Sequence, residues 1–304
     1  MARRAPTPTS SRRAWPLPEV AGPIAVLALG LVSAASWGAG DFGGGLLSRS
    51  APLLGVVFGS QFIGMLAALV IAVVRGEPLP QGADVGWAVV AGFLGVVGIT
   101  SLYRGLAVGR MGVVAPTTGV LAAVVPVTVG FLLEGVPSTE VVVGIGLALL
   151  AVILVTRAPG HDAATRSGIE WGLLGGLAIG GFSVCIGQLS GAGAFGPLVL
   201  VRLIEGGIVA LVIVLGRQPW RMPVSTLRWV LVVGLLDMAG NGAFILAAQA
   251  GALAIAATVS SLYPVGTVIL AIAVLHERLT RSHAAGIVLT GVAIVLIGLG
   301  TAGS

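Results

Sequence analysis

The chain of 304 residues has a single cysteine, Cys185, and no lysine. One cysteine excludes an internal disulfide, and it also excludes the paired-cysteine sites of metal and redox proteins. Only 9% of the residues are charged and 5% are aromatic. Because a soluble domain usually has about a quarter of its residues charged, this shortage excludes an ordinary water-soluble fold.

Most of the chain is apolar instead. Hydrophobic residues make up 57% of it, glycine occurs 48 times, and the mean hydropathy is +1.08. These values predict an integral protein of the lipid bilayer, with helices that approach each other closely at glycines. The net charge of +5 comes mostly from arginines near the start of the chain, which indicates a basic cytoplasmic leader and no nucleic-acid partner. These arginines are Arg3, Arg4, Arg12 and Arg13.

Ten apolar segments are long enough to cross the bilayer core as helices, which takes about 20 residues. They cover residues 22–46, 51–74, 84–104, 112–133, 139–156, 168–189, 195–215, 227–248, 252–275 and 282–300. The longest connection divides them into two groups of five. The expected organisation is a disordered leader (1–21), a first five-helix repeat (22–156), an inter-repeat loop (157–167), a second five-helix repeat (168–300) and a tail (301–304).

The two groups match each other in nearly the same register along the chain. The matching pairs are Pro78 with Pro219, Trp87 with Trp229, Gly92 with Gly234, Gly98 with Gly240, Gly109 with Gly251 and Glu134 with Glu277. Because five is an odd number of spans, the second copy must enter the membrane upside down relative to the first. The predicted fold is therefore an all-α polytopic membrane protein built from two inverted five-helix repeats.

A proline-containing segment near the C-terminus carries a family resemblance. "ALAIAATVSSLYPVGTVILAIAVLHERLTRSHAAGIVLTGVAIVLIG" combines a small-residue helix, a proline, a glutamate thirteen residues later and a glycine-rich last helix. This pattern resembles EamA-type transporters of the drug/metabolite transporter superfamily. The first half repeats it with Leu121 where Pro264 would align, and Trp37-Gly38 is also similar to the family pattern. The resemblance implies ten helices, two inverted repeats and metabolite export.

Pro264 predicts a kink in the ninth span. Proline removes one backbone hydrogen bond and leaves a free carbonyl one turn earlier, near Ser260. Hydroxyls of Ser260, Ser261 and Tyr263, or water in a cavity, can satisfy that carbonyl, so these residues are candidate substrate contacts. The alternative is a static kink packed against a neighbour. Pro264 and Pro116 are the candidate hinges.

A charged residue in the middle of a span costs free energy, so a functional role is the first explanation to consider for it. Asp237 lies about 15 Å into the eighth span, near the midplane, and Asn241 follows on the same helix face. In the seventh span, Arg202 and Glu205 are spaced to pair within one helix, which is a structural alternative for both. One arginine against two acids leaves a surplus carboxyl that can carry a proton.

The first span offers Trp37 and Asp41, which are one turn apart on one face. Trp37 is expected to form a cavity wall. Asp41 lies about 27 Å along the helix and is expected near the far interface. "GAGDFG" (38–43) also satisfies the GxGxxG pattern, but without a preceding strand it does not indicate a dinucleotide site.

The same letters contain "GAGD", which is typical of intramembrane aspartyl proteases, with Asp237 as the second acid. This enzyme alternative is disfavoured, because Asp41 is expected at a different depth and a protease does not explain the repeat. A non-transporting scaffold is disfavoured as well, because buried charges and kinks would then be unexplained costs.

The expected function is a secondary transporter, and not an enzyme, that moves a small-molecule substrate by alternating access. The first, third, fourth, sixth, eighth and ninth spans are expected to line its cavity. No catalytic residue, metal site or cofactor is expected, and a homodimer is left open. Arginines occur on both sides of the membrane, but the first helix and the resemblance favour cytoplasmic termini and a plasma-membrane location.

Overall fold

The computed structural model describes residues 23–109, 111–155, 168–189, 193–251, 253–275 and 281–302. The expected leader, the inter-repeat loop and Glu277 lie outside these residues. Within them the chain forms eleven α-helices and no strand. The helices are α1 (Pro23–Leu47), α2 (Leu53–Arg75), α3 (Ala83–Val108), α4 (Met111–Glu134), α5 (Thr139–Val155), α6 (Ile169–Gly187), α7 (Phe195–Leu215), α8 (Val224–Ala250), α9 (Leu253–Ser260), α10 (Tyr263–Leu275) and α11 (Arg281–Ala302).

The helices have the composition of membrane spans. In the described part of the chain, six helices are long and apolar enough to cross a membrane, namely α1, α2, α3, α6, α7 and α8. Four shorter apolar helical segments lie within 117–133, 139–151, 253–267 and 284–297. Large hydrophobic side chains are exposed along the outer faces, among them Trp87 at 40% and Trp229 at 52%. The all-helical architecture expected from the sequence is confirmed for the described residues.

The ninth predicted span is broken into two helices. α9 ends at Ser260 and α10 begins at Tyr263, with Ser261 and Leu262 forming a turn between them. The break lies directly before Pro264, which cannot donate a backbone hydrogen bond to the Ser260 carbonyl. The predicted kink is therefore a full interruption of the helix.

The helix contacts between the two halves occur in corresponding pairs. α1 packs against α8, and α3 packs against α6; α2 contacts α8, and α7 contacts α3. α4 contacts α6, while α9 and α10 contact α1. The remaining large contacts join corresponding helices, α2 with α7 and α5 with α11. This pattern is that of a pseudo-twofold axis through the middle of the bundle.

The ends of α2 and α7 show that these two corresponding helices run in opposite directions. After the end of α2, Glu77 Oε2 accepts hydrogen bonds from the backbone N–H groups of Phe195 (2.7 Å) and Gly196 (3.1 Å) at the start of α7. After the end of α7, the Trp220 carbonyl lies so close to Gly55 of α2 that a side chain there would collide with it. The two halves therefore clasp each other at both ends.

Candidate functional site

A cavity lies at the centre of the bundle, between helices of both halves. A smaller cavity adjoins it across a shared wall of Trp37, Ile179 and Tyr263, and reaches α4 and α9. Side chains of α1, α2, α3, α6, α7, α8 and α10 line the larger cavity. They are Trp37, Asp41, Gln61, Gly95, Ile99, Ile179, Phe182, Arg202, Glu205, Asp237, Asn241 and Tyr263.

Arg202 of α7 bridges two carboxylates. Its Nη1 lies 2.5 Å from Glu205 Oε2, and its Nη2 lies 2.5 Å from Asp237 Oδ2. The side chains of Arg202 and Glu205 are 2% and 1% exposed, whereas Asp237 retains 17%. Arg202 therefore has the helical partner expected from its spacing, and a second partner on α8 that the spacing did not indicate.

Two amides complete this ion cluster. Gln61 of α2 accepts a hydrogen bond from Arg202 Nη1 at 2.6 Å. Asn241 Nδ2 donates to the Asp237 carbonyl (2.7 Å) and to Asp237 Oδ1 (3.1 Å), which determines the orientation of its amide group. The Asn241 oxygen has no hydrogen-bond partner among the described residues, although the side chain is buried. It is an acceptor with unused capacity at the cavity wall.

The repeat leaves room for this cluster. In the register that relates the two halves, Gln61 corresponds to Arg202, and Gly95 corresponds to Asp237. A methyl group at Gly95 would collide with the Glu205 carboxylate. The fold is thus symmetric while this cluster is not, because the second half supplies the ions of the cluster and the first half supplies the space and the Gln61 amide.

The expectation that Asp41 lies at the far interface is wrong. Asp41 is 9% exposed, lines the central cavity, and interacts electrostatically with Asp237 and Tyr263. The cause is the packing of α1 against the middle of α8, where a Cβ on Gly40 would lie 3.7 Å from the Asp237 backbone nitrogen. Counting residues from the start of α1 missed this, because tilt and helix packing decide the depth of a residue.

An aromatic wall lies next to Asp41. The rings of Trp37 and Tyr263 meet edge to face, with centroids 6.3 Å apart and an angle of 84°. The Trp37 ring also lies 5.7 Å from that of Phe244. Tyr263 is buried, and its hydroxyl has no partner among the described residues.

The serines and prolines that the sequence analysis named differ in their surroundings. Ser261 lines the smaller cavity and donates to the Thr258 carbonyl at 2.7 Å. Ser260 is fully buried and lies outside both cavities. α4 continues through Pro116 without a break, in contrast to the interruption before Pro264. The substrate-contact and hinge roles of these residues stay predictions.

Sequence reasoning missed Gln61 of α2 and Phe182 of α6, and it did not place α2 and α7 among the spans that line the cavity. A signal for Gln61 was present in the repeat register, since Gln61 corresponds to Arg202. Phe182 corresponds to Asp41, whose place in the cavity the sequence did not indicate. Positions that correspond across a pseudo-twofold axis in the membrane plane lie at equal distances from the midplane, on opposite sides of it. The deep charge at Arg202 therefore marked Gln61 as well.

Comparison with known proteins identifies the family. One similar solved structure is described as a crystal structure of a protein and is 16% identical to this chain. The alignment covers 89% of this chain and 95% of the other chain, and its TM-score of 0.70 shows a shared fold. A search of curated proteins found no match. The EamA-like transporter family matches the chain twice, over residues 24–157 and 166–299. The chain therefore belongs to the EamA-like transporter family, and it is a multi-pass membrane protein of the transporter class.

Proposed function

We propose that this protein exports small metabolites or drug-like molecules by alternating access around the central cavity. The observation that carries the proposal is the cavity itself, which lies between the two halves and is lined by helices from both. A site on the axis between two repeats is reached from either side when one repeat rocks against the other.

The proposed architecture is ten spans in two inverted repeats, with α9 and α10 together forming the ninth span. The opposite directions of α2 and α7, and the matched helix contacts of the two halves, support this arrangement. The proposed location is the plasma membrane with cytoplasmic termini. In that orientation, the contact between Glu77 and the start of α7 lies on the cytoplasmic side.

The ion cluster provides a proposed coupling site for protons. Arg202 carries one positive charge and contacts two carboxylates, so full ionisation leaves one negative charge unbalanced. Asp237 is the more exposed of the two acids and faces the cavity. A proton that binds at Asp237 neutralises the cluster, and its release on the other side of the membrane would couple transport to the proton gradient.

The position of Asp41 removes one objection to the aspartyl protease, since Asp41 and Asp237 line the same cavity. The ion pair between Asp237 and Arg202 raises a different objection to the protease. A protease dyad needs two carboxyls that share one proton. Asp237 is instead held by Arg202 at 2.5 Å and by Asn241. The protease is not favoured.

Transport in proteoliposomes tests the proposal. Purified protein is screened with amino acids, nucleosides and cationic dyes, with and without a pH gradient. The wild type is expected to move at least one class, and Asp237→Asn is expected to keep exchange while losing accumulation driven by the gradient. Asp84→Asn, at the start of α3 and away from the cavity, is the matched control. Transport of none, together with cleavage of a membrane peptide, would contradict the proposal.

A further inference from the structure

Asp41 is the acid of the cavity that its surroundings leave without a partner. No hydrogen bond or ion pair holds its carboxyl among the described residues, and the residue is only 9% exposed. A buried carboxylate without a counter-charge is unfavourable in an apolar bundle and is found where it serves a site. Its charged neighbours are Asp237 on α8, with Arg202 and Glu205 on α7, and the hydroxyls of Tyr103 and Tyr263 lie close by.

Arg202 pairs with Glu205 and Asp237 and forms no ion pair with Asp41. Both of its terminal nitrogens are engaged, by Glu205, Asp237 and Gln61. It is also the only basic residue among the described residues that line the larger cavity, against three acids. The cavity is therefore short of positive charge.

The neighbouring polar groups reinforce this preference. The free oxygen of Asn241 is an acceptor with no partner among the described residues, and it belongs to the same cavity wall. Its orientation is not arbitrary, because the amide nitrogen is used by Asp237. An ammonium group donates hydrogen bonds and carries positive charge, so it suits both an unpaired carboxylate and a free amide oxygen.

The aromatic and apolar residues of the cavity wall favour a substrate that also has an aromatic or apolar part. Trp37 lies one helical turn from Asp41, and its ring meets Tyr263 edge to face. Phe182, Ile99 and Ile179 continue this surface. Aromatic faces attract cations and bury apolar groups, and a tryptophan face is the strongest of them.

On the basis of the proposed transport function, we infer that the substrates are monovalent organic cations with an aromatic or apolar part, bound with the cationic group at Asp41 and Asn241 and the ring against Trp37 and Tyr263. The ion cluster remains the place of the proton. The carboxylate that binds the substrate cation, Asp41, thus belongs to the first half, and the carboxylate that binds the proton, Asp237, belongs to the second half.

Three probes with one ring and different charge test this inference. At neutral pH, phenethylamine is a cation, phenylalanine a zwitterion and 3-phenylpropionate an anion. Binding of radiolabelled phenethylamine to the purified full-length protein is measured in detergent, with the other two as competitors. The expected result is saturable binding of phenethylamine, with the zwitterion and the anion each weaker by about tenfold or more.

Variants locate the cation. Asp41→Asn is expected to weaken phenethylamine binding by about tenfold or more, whereas Asp41→Glu keeps most of it and the control Asp84→Asn is unchanged. Unchanged binding in Asp41→Asn, equal competition by 3-phenylpropionate, or no phenethylamine binding by the wild type would each overturn the inference. The comparison of probes uses wild-type protein, so it decides the matter even if a variant fails to fold.

The outcomes separate this inference from the transport function. If phenethylamine binds through Asp41 and no solute crosses proteoliposomes, the proposed function fails while the cation site stands. If the proteoliposomes transport only anions or zwitterions, the function stands and the cation site is overturned.

Discussion

Arg202 determines the charge balance of the whole cavity. It is almost fully buried, and its guanidinium is shared between Glu205, Asp237 and Gln61. The three acids of the cavity are consequently not equivalent. Asp237 can lose its charge while Arg202 keeps a partner in Glu205, whereas loss of Arg202 leaves two buried carboxylates facing each other without a cation.

This inequality predicts opposite sensitivities. Arg202→Gln is expected to destabilise the protein by about 3 to 5 kcal/mol, because it leaves buried charges uncompensated. Asp237→Asn leaves a neutral Arg202–Glu205 pair and is expected to lower the melting temperature much less. Thermal unfolding in detergent measures both effects, with Asp84→Asn as the control for removing a carboxylate. Equal losses for the two cavity variants would show that Asp237 is needed mainly as a structural partner of Arg202.

Among the elements, α1 and the broken ninth span depend on each other. The Thr267 hydroxyl lies 3.1 Å from the Gly38 carbonyl oxygen of α1 and donates to it. A Cβ at Gly38 would lie 2.6 Å from the Tyr263 carbonyl oxygen and 3.2 Å from Gly266 Cα. α1 thus packs directly on the backbone where α10 begins, and this contact holds Trp37 against Tyr263.

Alanine substitution tests this contact. Gly38→Ala is expected to push α1 away from α10, since a clash with backbone cannot be relieved by a rotamer change, and to lower both the melting temperature and transport. Gly207→Ala is the matched control, because nothing lies within 4 Å of a Cβ there. In an α-helix interior, that change is expected to be neutral or to stabilise by about 0.5 to 1 kcal/mol. A tolerated Gly38→Ala would mean that the two helices do not need to touch.

At the scale of the whole molecule, the two halves hold each other at opposite ends through different chemistry. At one end the Glu77 carboxylate accepts from the backbone of α7 and pairs with Arg75 at 2.7 Å. At the other end, the contact between α2 and the segment after α7 involves the Trp220 carbonyl and the Met222 side chain. Gln218 corresponds to Glu77 in the repeat register, and its side chain donates only to the Gly216 carbonyl of its own turn among the described residues.

This arrangement predicts that the contact of Glu77 with α7 and the contact of Trp220 with α2 lie on opposite sides of the membrane. Because Cys185 is the only cysteine and is buried, Cys185→Ala provides a background for single-cysteine labelling. Gln81→Cys, after α2, and Gln218→Cys, after α7, are both at exposed positions. With cytoplasmic termini, a membrane-impermeant maleimide added to intact cells is expected to label position 218 and not position 81. Labelling of both from the same side would contradict the inverted repeats.

The sequence by itself determined that the protein lies in a membrane, that it is helical, and to which family it belongs. It also marked Asp237, Arg202 and Glu205, because a charge inside an apolar segment can be recognised from one continuous stretch of sequence. Only the tertiary structure decided that Asp41 joins these residues, that Gln61 bonds Arg202, and that Gly95 leaves room for Glu205. These contacts join segments far apart in the chain, since Gln61 and Arg202 belong to different halves. Their geometry follows from helix tilt and from the packing of two halves across the axis, and neither is encoded in any single span.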